Sequence, residues 1–595
     1  MTSLRTAKRF VFPLLGLWVL LYASFSMVKP PLLDGDDALS AEIAREMITG
    51  GHWITPYANG IRYPQHPPLL YWAIAASFRL FGVSDWTARL PIALATLALF
   101  AATFSLGRRL FRSPQAAFYA VLALMTSYGV FLFGHLLLRD VFLCLWTTLA
   151  LACFWRSLTQ EKHRLGTALG FAACCALGVL TQGIAGLVFP FGVAVLYLLA
   201  TGRITHLLRW YPIPAILLFL ALVLPWHIAA HIVAGREPLQ SLMPNLAGGR
   251  VPLIVFWLLL LLWTVPWCIF SLRALRVGAS PDPNRRRQAR LFCLLWILVV
   301  LVCFSFTARL EYNLLPALPP MALLAGGWLA EDEAQEHHQG RIATGILFLV
   351  GIATAAWVAW FLFATPAVGS GVDIATLLRT NSAHHAVFFG NFLDLTHSAM
   401  GAFKVPLAIA LAALVVGVSG GFWFRLRDQA RVANCFLAGM IVAILIAAHL
   451  ALVTFSPVLS SEILAEAIKP EIHPGDVVVV NGTLEGASSF VFYLEHGVLL
   501  LKPGSSTAES TSPPCTAAAP PRTETTVVAT EGPVSAPTLS IDPATLCGVW
   551  QAPLRVWLWT IPRQLPRLPG PVYVIGRSGG KEIVSNQPNT GGASF

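Results

Sequence analysis

Charge is scarce in this chain. Asp, Glu, Lys and Arg together make up 12% of its 595 residues, and acid is the rarer sign, 29 residues against 40 basic ones. Soluble globular domains carry about a quarter of their residues as charges, so a water-exposed globule is excluded. With 56% of residues hydrophobic, the chain uses lipid as its solvent. Metal-type cysteine spacing is absent too. Cys174-Cys175 are adjacent, and Cys144, Cys153, Cys268, Cys293, Cys303 and Cys435 lie in apolar runs, where small hydrophobic packing explains them. That leaves Cys515 and Cys547 as a pair able to form a disulfide. Neither His337-His338 nor His384-His385 has the helical spacing of a metal site, and neither is assigned a role. No internal repeat or pair of broken helices marks a transporter. The net charge of +11 does not indicate nucleic acid, because the arginines sit in short loops between apolar runs, where membrane orientation places them.

What is present is a series of long apolar runs, at about 10–28, 87–106, 115–134, 141–157, 165–181, 184–200, 212–232, 252–272, 291–307, 314–330, 342–363, 405–424 and 434–456. About thirteen spans predict an α-helical polytopic membrane protein whose termini lie on opposite sides. Arg5, Lys8 and Arg9, then Arg108, Arg109 and Arg112, then Arg285, Arg286, Arg287 and Arg290 fall on one face, which makes the N-terminus cytoplasmic. The first run lacks a small-residue cleavage pattern and is read as a retained helix. Residues 1–456 then form a transmembrane domain, and the 29–86 segment, the 364–404 loop and everything after about 457 face the extracytoplasmic side.

The 29–86 segment is long for a loop and reads as folded against the membrane surface. Leu39, Ile43 and Met47 recur at helical spacing with Glu42, Arg45 and Glu46 on other faces, which suits an interfacial helix. Pro67-Pro68 opens a second apolar stretch, Leu69–Phe81, too short for a full span. After 457 the character changes: Val477–Val480, Ser489–Leu494, Val498–Leu501, Val556–Trp559 and Val572–Ile575 are short elements between turn residues, predicting a small α/β domain over 457–595. Within it, 503–540 is rich in Ser, Thr, Pro and Ala and is predicted to be a disordered insertion.

Asp36 and Asp37 stand just beyond the first run. Acids at a membrane edge are costly and tend to mark reaction sites. The alternative is a solvated helix N-cap, with Gly50-Gly51 as the stop. Trp53, Trp72, Trp86 and Trp226, near run ends, read as interfacial anchors.

Several phrases resemble one family: Asp36-Asp37 followed by Ala41-Glu42-Ile43-Ala44-Arg45-Glu46-Met47, then Gly51-His52-Trp53-Ile54-Thr55-Pro56, then Pro67-Pro68-Leu69-Leu70-Tyr71-Trp72. Thr181-Gln182-Gly183, Pro225-Trp226, and Glu311-Tyr312 with Leu315-Pro316-Ala317-Leu318-Pro319 extend the likeness. The chain resembles the aminoarabinose transferases of lipid A and their relatives in the protein O-mannosyltransferase superfamily. The resemblance implies a multispan glycosyltransferase of type C fold in a bacterial-type inner membrane. Its donor would be a polyprenyl-phosphate-linked sugar, and its acceptor a lipid A-like lipid or an envelope glycan. Transfer to protein Ser or Thr, and a flippase for lipid-linked sugars, remain alternatives.

Such chemistry develops positive charge at the anomeric carbon and negative charge on the leaving phosphate, so a site needs a carboxylate near the acceptor and cations near the phosphate. By resemblance, Asp36 matches the family's catalytic acid, Asp37 its second acid and Asp140 a further acidic site. Asp140 beside Arg139 could equally be a structural ion pair. Two departures stand out. A Glu-Lys pair before Pro-Pro is here Gln65-His66, and a lysine before glycine is here Gln182. Phosphate binding must then lean on Arg62, Arg139 or Arg309, with His66 and Gln182 as weaker donors. Arg309, Glu311 and Tyr312 bring polar groups to the outer face between two runs, as site residues or as a turn needing charge for solubility. A divalent cation, with Asp36 or His66 as ligand, is left open as a cofactor.

Overall fold

In the computed structural model the described residues are 2–27, 30–64, 66–160, 164–210, 212–235, 251–275, 283–334, 339–369, 372–378, 394–502 and 540–588. The chain divides into two compact units. The first comprises Met1–Lys29, Pro64–Val368 and Arg379–Leu452; the second comprises Pro30–Tyr63, Gly369–Leu378 and Val453–Phe595.

Ten helices among the described residues are long and apolar enough to cross a membrane: Phe10–Met27, Asp85–Phe111, Arg139–Thr159, Arg164–Gln182, Pro212–Ala234, Asn284–Ser305, Glu311–Ala334, Gly340–Ala364, Ala399–Leu426 and Ala430–Leu459. Each falls on an expected run. The other three runs are shorter or broken, for local reasons. Residues 115–134 give a helix Pro114–Met125 that stops where Thr126 and Ser127 turn their hydroxyls back onto the Leu122 and Leu124 carbonyls, at 2.6 and 2.7 Å. Residues 252–272 divide into Leu253–Trp263 and Cys268–Arg273 around Pro266, which has no N–H for the ladder. The 16-residue helix Ala185–Ala200 begins only after Gly183, whose φ of +61° ends the preceding helix.

Small residues let helices of the first unit approach closely, as lipid-solvated packing requires. A Cβ on Gly326 would lie 2.3 Å from the Ala120 nitrogen, and one on Gly186 would lie 2.0 Å from the Gly178 carbonyl carbon. Three consecutive acids end the Glu311–Ala334 span, and each takes an arginine from a different helix. Glu331 pairs with Arg286, Asp332 with Arg425 and Glu333 with Arg431, all at 2.6 Å. Glu333 also accepts the Tyr119 hydroxyl at 2.5 Å, and Arg425 donates to Asn434 at 3.0 Å. Trp226, expected as an interfacial anchor, is instead 7% exposed and packs with Leu180, Ala230, Leu69 and Trp72.

In the second unit, β1 (Tyr57–Ala58) and β2 (Ile61–Arg62) pair antiparallel around Asn59-Gly60. Both turn residues have positive φ, +52° and +69°, as the tight hairpin turn of that hand demands. A six-stranded sheet follows, from β3 (Val477–Val480), β4 (Leu499–Leu501), β5 (Ser540–Ile541), β6 (Val556–Thr560), β7 (Tyr573–Ser578) and β8 (Lys581–Ser585) in the order β5-β4-β3-β6-β8-β7. The first four in that order are parallel, and β8 and β7 add antiparallel. Every residue of β6 is buried, the signature of a strand covered on both faces. Val479, Leu501, Ile541, Leu546, Trp550, Val556, Leu558 and Val584 form the core. Cys547 lies on the Pro543–Gln551 helix and is disulfide-bonded; Cys515 lies outside the described residues. The insertion expected at 503–540 also lies outside them, except for Ser540, which pairs in β5.

Candidate active-site carboxylates

The Asp36–Gly50 helix begins after Gly35, whose φ of +90° belongs to glycine's range, and it ends at Gly51 with φ +72°. Gly35 is therefore the N-cap, and the aspartates occupy the first helical turn, where the exposed N–H groups favour negative charge. The capping alternative for Asp36 is thus corrected. Gly35 serves because its N–H is already taken by the Glu485 carbonyl at 2.8 Å and the Ser488 hydroxyl at 2.9 Å, an approach that demands its backbone shape.

Three acids here have three environments. Asp34, which the sequence reading passed over, accepts the Ser489 N–H at 2.9 Å, the Ser489 hydroxyl at 2.5 Å and the Lys581 ammonium at 2.6 Å. Asp37 is fully buried and accepts the Leu33 N–H at 2.9 Å, so it closes the turn. Asp36 is partly exposed. The helix itself is less amphipathic than its spacing suggested. Leu39, Ile43 and Met47 are buried as expected, but so are Ala38, Ser40, Ala41, Glu42 and Ala44, and the helix packs on Ser488–Leu494. Burial raises the Glu42 carboxyl above its ordinary range, against the pull of Arg45 at 2.6 Å. Arg62, at the end of the hairpin, is exposed. The hairpin is held by Asn59, which donates to the Val498 carbonyl at 2.8 Å and accepts its N–H at 3.0 Å.

The first unit gathers a separate group. Asp140 lies in the first turn of the Arg139–Thr159 helix, 1% exposed, with Arg139 8% exposed beside it. Gln182, the last residue of its helix, donates to Asp140 Oδ1 at 3.3 Å. Its own Oε1 is buried and has no hydrogen-bond partner among the described residues. His66 is held well below its ordinary pKa, first by desolvation and then by the Arg139 charge, so it is a neutral imidazole near pH 7. Gln65 lies outside the described residues.

Glu311 opens a 3₁₀ turn, Glu311–Ala317, that is buried throughout and leads into the span ending at Ala334. The turn packs on the Asp140 helix, and Cys144 Sγ donates to the Leu315 carbonyl at 3.3 Å. Glu311 is 6% and Tyr312 8% exposed; the Tyr312 ring meets Phe133 edge-on at 6.0 Å. Burial of this kind does not fit the reading of a solvated turn. Arg309 donates to the Val251 carbonyl at 2.7 Å and the Ser305 carbonyl at 2.9 Å, which orients it but spends part of its donor set on the backbone. No three His, Cys, Asp or Glu side chains among the described residues come together as a metal site. The divalent cation considered for Asp36 or His66 thus finds no cluster of three such ligands among the described residues.

This arrangement has known counterparts. Residues 65–228 match the model of the dolichyl-phosphate-mannose-protein mannosyltransferase family. The structure aligns with that of ArnT from Cupriavidus metallidurans bound to undecaprenyl phosphate, over 97% of each chain, with a TM-score of 0.73 at 20% identity. The chain has the ArnT fold. The apo ArnT structure aligns over 99% of each chain with a TM-score of 0.74. In sequence, the ArnT-like resemblance extends to two undecaprenyl phosphate-alpha-4-amino-4-deoxy-L-arabinose arabinosyl transferases. That of Aeromonas hydrophila is 30% identical over 329 residues, 52% of this chain and 58% of the relative. That of Edwardsiella ictaluri is 29% identical over 383 residues, 61% and 68%. The matched part thus spans only about three fifths of the Aeromonas relative's length. The family resemblance and the multispan fold read from the sequence both hold, and the protein is a multispan membrane protein with the ArnT fold.

Proposed function

We propose that the chain is a membrane glycosyltransferase that moves a sugar from a polyprenyl-phosphate donor to a lipid A-like lipid or an envelope glycan. The observation that carries this is the ArnT fold over essentially the whole chain, from a relative solved with undecaprenyl phosphate bound. Asp37 and Asp140 support it, since each is held in a helix first turn by a hydrogen bond it accepts. In this reading residues 1–456 form the transmembrane domain in a bacterial inner membrane, with the N-terminus cytoplasmic. Residues 29–86 and the 457–595 domain are extracytoplasmic.

The roles follow from environment. Asp36, the partly exposed acid of the first turn, orients or deprotonates the acceptor hydroxyl, while buried Asp37 holds the turn that presents it. Asp140 positions Gln182, whose remaining amide capacity faces the donor. Arg139 offsets the charge developing on the leaving phosphate, and neutral His66 donates one hydrogen bond to it. Arg309, anchored on two carbonyls, together with Glu311 and Tyr312, shapes the donor side. No step is routed through a metal.

The mannosyltransferase match over residues 65–228 favours a second acceptor, the hydroxyl of a protein Ser or Thr. One experiment addresses both. Purified wild type and Asp36→Asn are given a panel of polyprenyl-phosphate sugars with lipid A or with Ser/Thr peptides, and released polyprenyl phosphate is followed by mass spectrometry. Release by wild type, lost by at least about a hundredfold in the folded variant, supports the proposal. Near-normal turnover by Asp36→Asn would sink the role of Asp36, and product formed only with peptides would select the second acceptor.

A further inference from the structure

We propose that the first unit carries a second ligand site, for the phosphate of an anionic lipid headgroup, between the C-terminal ends of the Asp85–Phe111 and Arg139–Thr159 helices. The site goes beyond sugar transfer and does not rest on it. A cavity of about 320 Å³ there is lined by Phe104, Ser105, Arg108, Arg109 and Gln160. That volume is at the lower end of the range for small-ligand pockets, about 300–1,000 Å³, and suits a headgroup.

Among the described residues the lining has two cations, two neutral polar groups and no acid. A third cation stands by: Arg156 is held by Gln160 at 3.0 Å, and its charge acts on Arg109. The charges of Arg156 and Arg108 both act on Arg109, a repulsion that an anion bound in the cavity would relieve.

Nor are these arginines occupied in capping their helix. Arg285 performs that task, donating to the Leu110 carbonyl at 2.8 Å and to the Arg109 carbonyl. Among the described residues, neither the Arg108 nor the Arg109 side chain forms an ion pair.

The vertical order of the lining selects a lipid over a free ion. Phe104 and Ser105 lie one turn deeper in the span than Arg108 and Arg109, so an apolar wall continues below the cations, as an acyl chain requires. Basic pockets between spans at the cytoplasmic end, where these loops carry their arginines, suit acidic phospholipids. The guanidinium fork matches two phosphodiester oxygens at once.

Native mass spectrometry of the full-length chain in detergent tests this, with phosphatidylglycerol, phosphatidylcholine or inorganic phosphate added. Wild type is expected to retain one phosphatidylglycerol under activation that strips phosphatidylcholine, and Arg108→Gln/Arg109→Gln to retain at least about tenfold less. Ser105→Glu puts a negative charge into the cavity with both arginines in place and should lose the lipid equally. It keeps the test alive should the double variant fail to fold. Arg203→Gln, an exposed arginine outside the lining, should retain it. Equal retention of phosphatidylglycerol by all variants, or equal retention of phosphatidylcholine by wild type, would overturn the site. Displacement of the lipid by millimolar inorganic phosphate, with an arginine-dependent phosphate adduct, would overturn the lipid assignment.

Discussion

The Lys581 ammonium lies 2.6 Å from the Asp34 carboxylate, across 547 positions of sequence. Asp34 and Lys581 are both largely buried, at 14% and 12% side-chain exposure, and Asp34 also accepts two hydrogen bonds from Ser489. The acid two residues before Asp36 therefore ties the start of the Asp36–Gly50 helix to β8.

Asp34→Ala leaves the Ser489 N–H and hydroxyl, the Lys581 ammonium and the Ser461 hydroxyl without their acceptor and is expected to cost about 2–3 kcal/mol. Lys581→Met removes one partner and should cost less, about 1 kcal/mol, because the Ser489 bonds remain. Thermal unfolding in detergent, read from the apparent Tm, checks the order. A larger loss for Lys581→Met would contradict the assignment.

Asp332 and Arg425 form the most buried ion pair described, each side chain 4% exposed, and removing one partner strands a charge. Asp332→Asn and Arg425→Leu are each expected to destabilise by about 3–5 kcal/mol, whereas Asp332→Leu/Arg425→Leu should recover much of the loss. A double-mutant cycle on folded yield and Tm measures the coupling; additive losses would show that the pair contributes little.

His66 gives a pH dependence of definite sign. Its folded pKa is below the unfolded value of about 6.5, so the unfolded chain binds more protons between the two values. Stability is at its full level above about pH 6.5 and declines as pH falls below it toward the folded pKa. Wild-type Tm should drop between about pH 6.5 and 5, and His66→Gln should flatten that part of the curve. Identical profiles would place the acid sensitivity elsewhere.

The helices were legible in the sequence wherever length and hydropathy suffice, as the coincidence of Leu69–Phe81 with its helix shows. Interruptions were not, because the hydroxyls of Thr126 and Ser127 act on carbonyls without altering the apolar character of the run. The acids Asp36, Asp37 and Asp140 stood out through their rarity. Asp34 did not, since its partners Ser489 and Lys581 are remote in sequence. Likewise Asn59 and Val498 bond across 439 positions, and nothing in the spacing of 29–86 announces that 30–63 folds with the chain after 453. Glu331-Asp332-Glu333 carried a usable signal: three acids ending an apolar run need three cations, and Arg286, Arg425 and Arg431 were available. Glu42 was read as a polar-face residue, yet Arg45 one turn on lets it be buried.

The acidic tripeptide also sets an order of biogenesis. Asp332 leaves the ribosome 93 residues before Arg425, and Arg431 follows later still. Until the final two spans are made, Asp332 lacks Arg425 and Glu333 lacks Arg431, the partners beside which these acids sit in the finished bundle. The last hairpin thus supplies two of the three cations that the acidic tripeptide pairs with, so a chain ending before it would leave two of those pairs unmade.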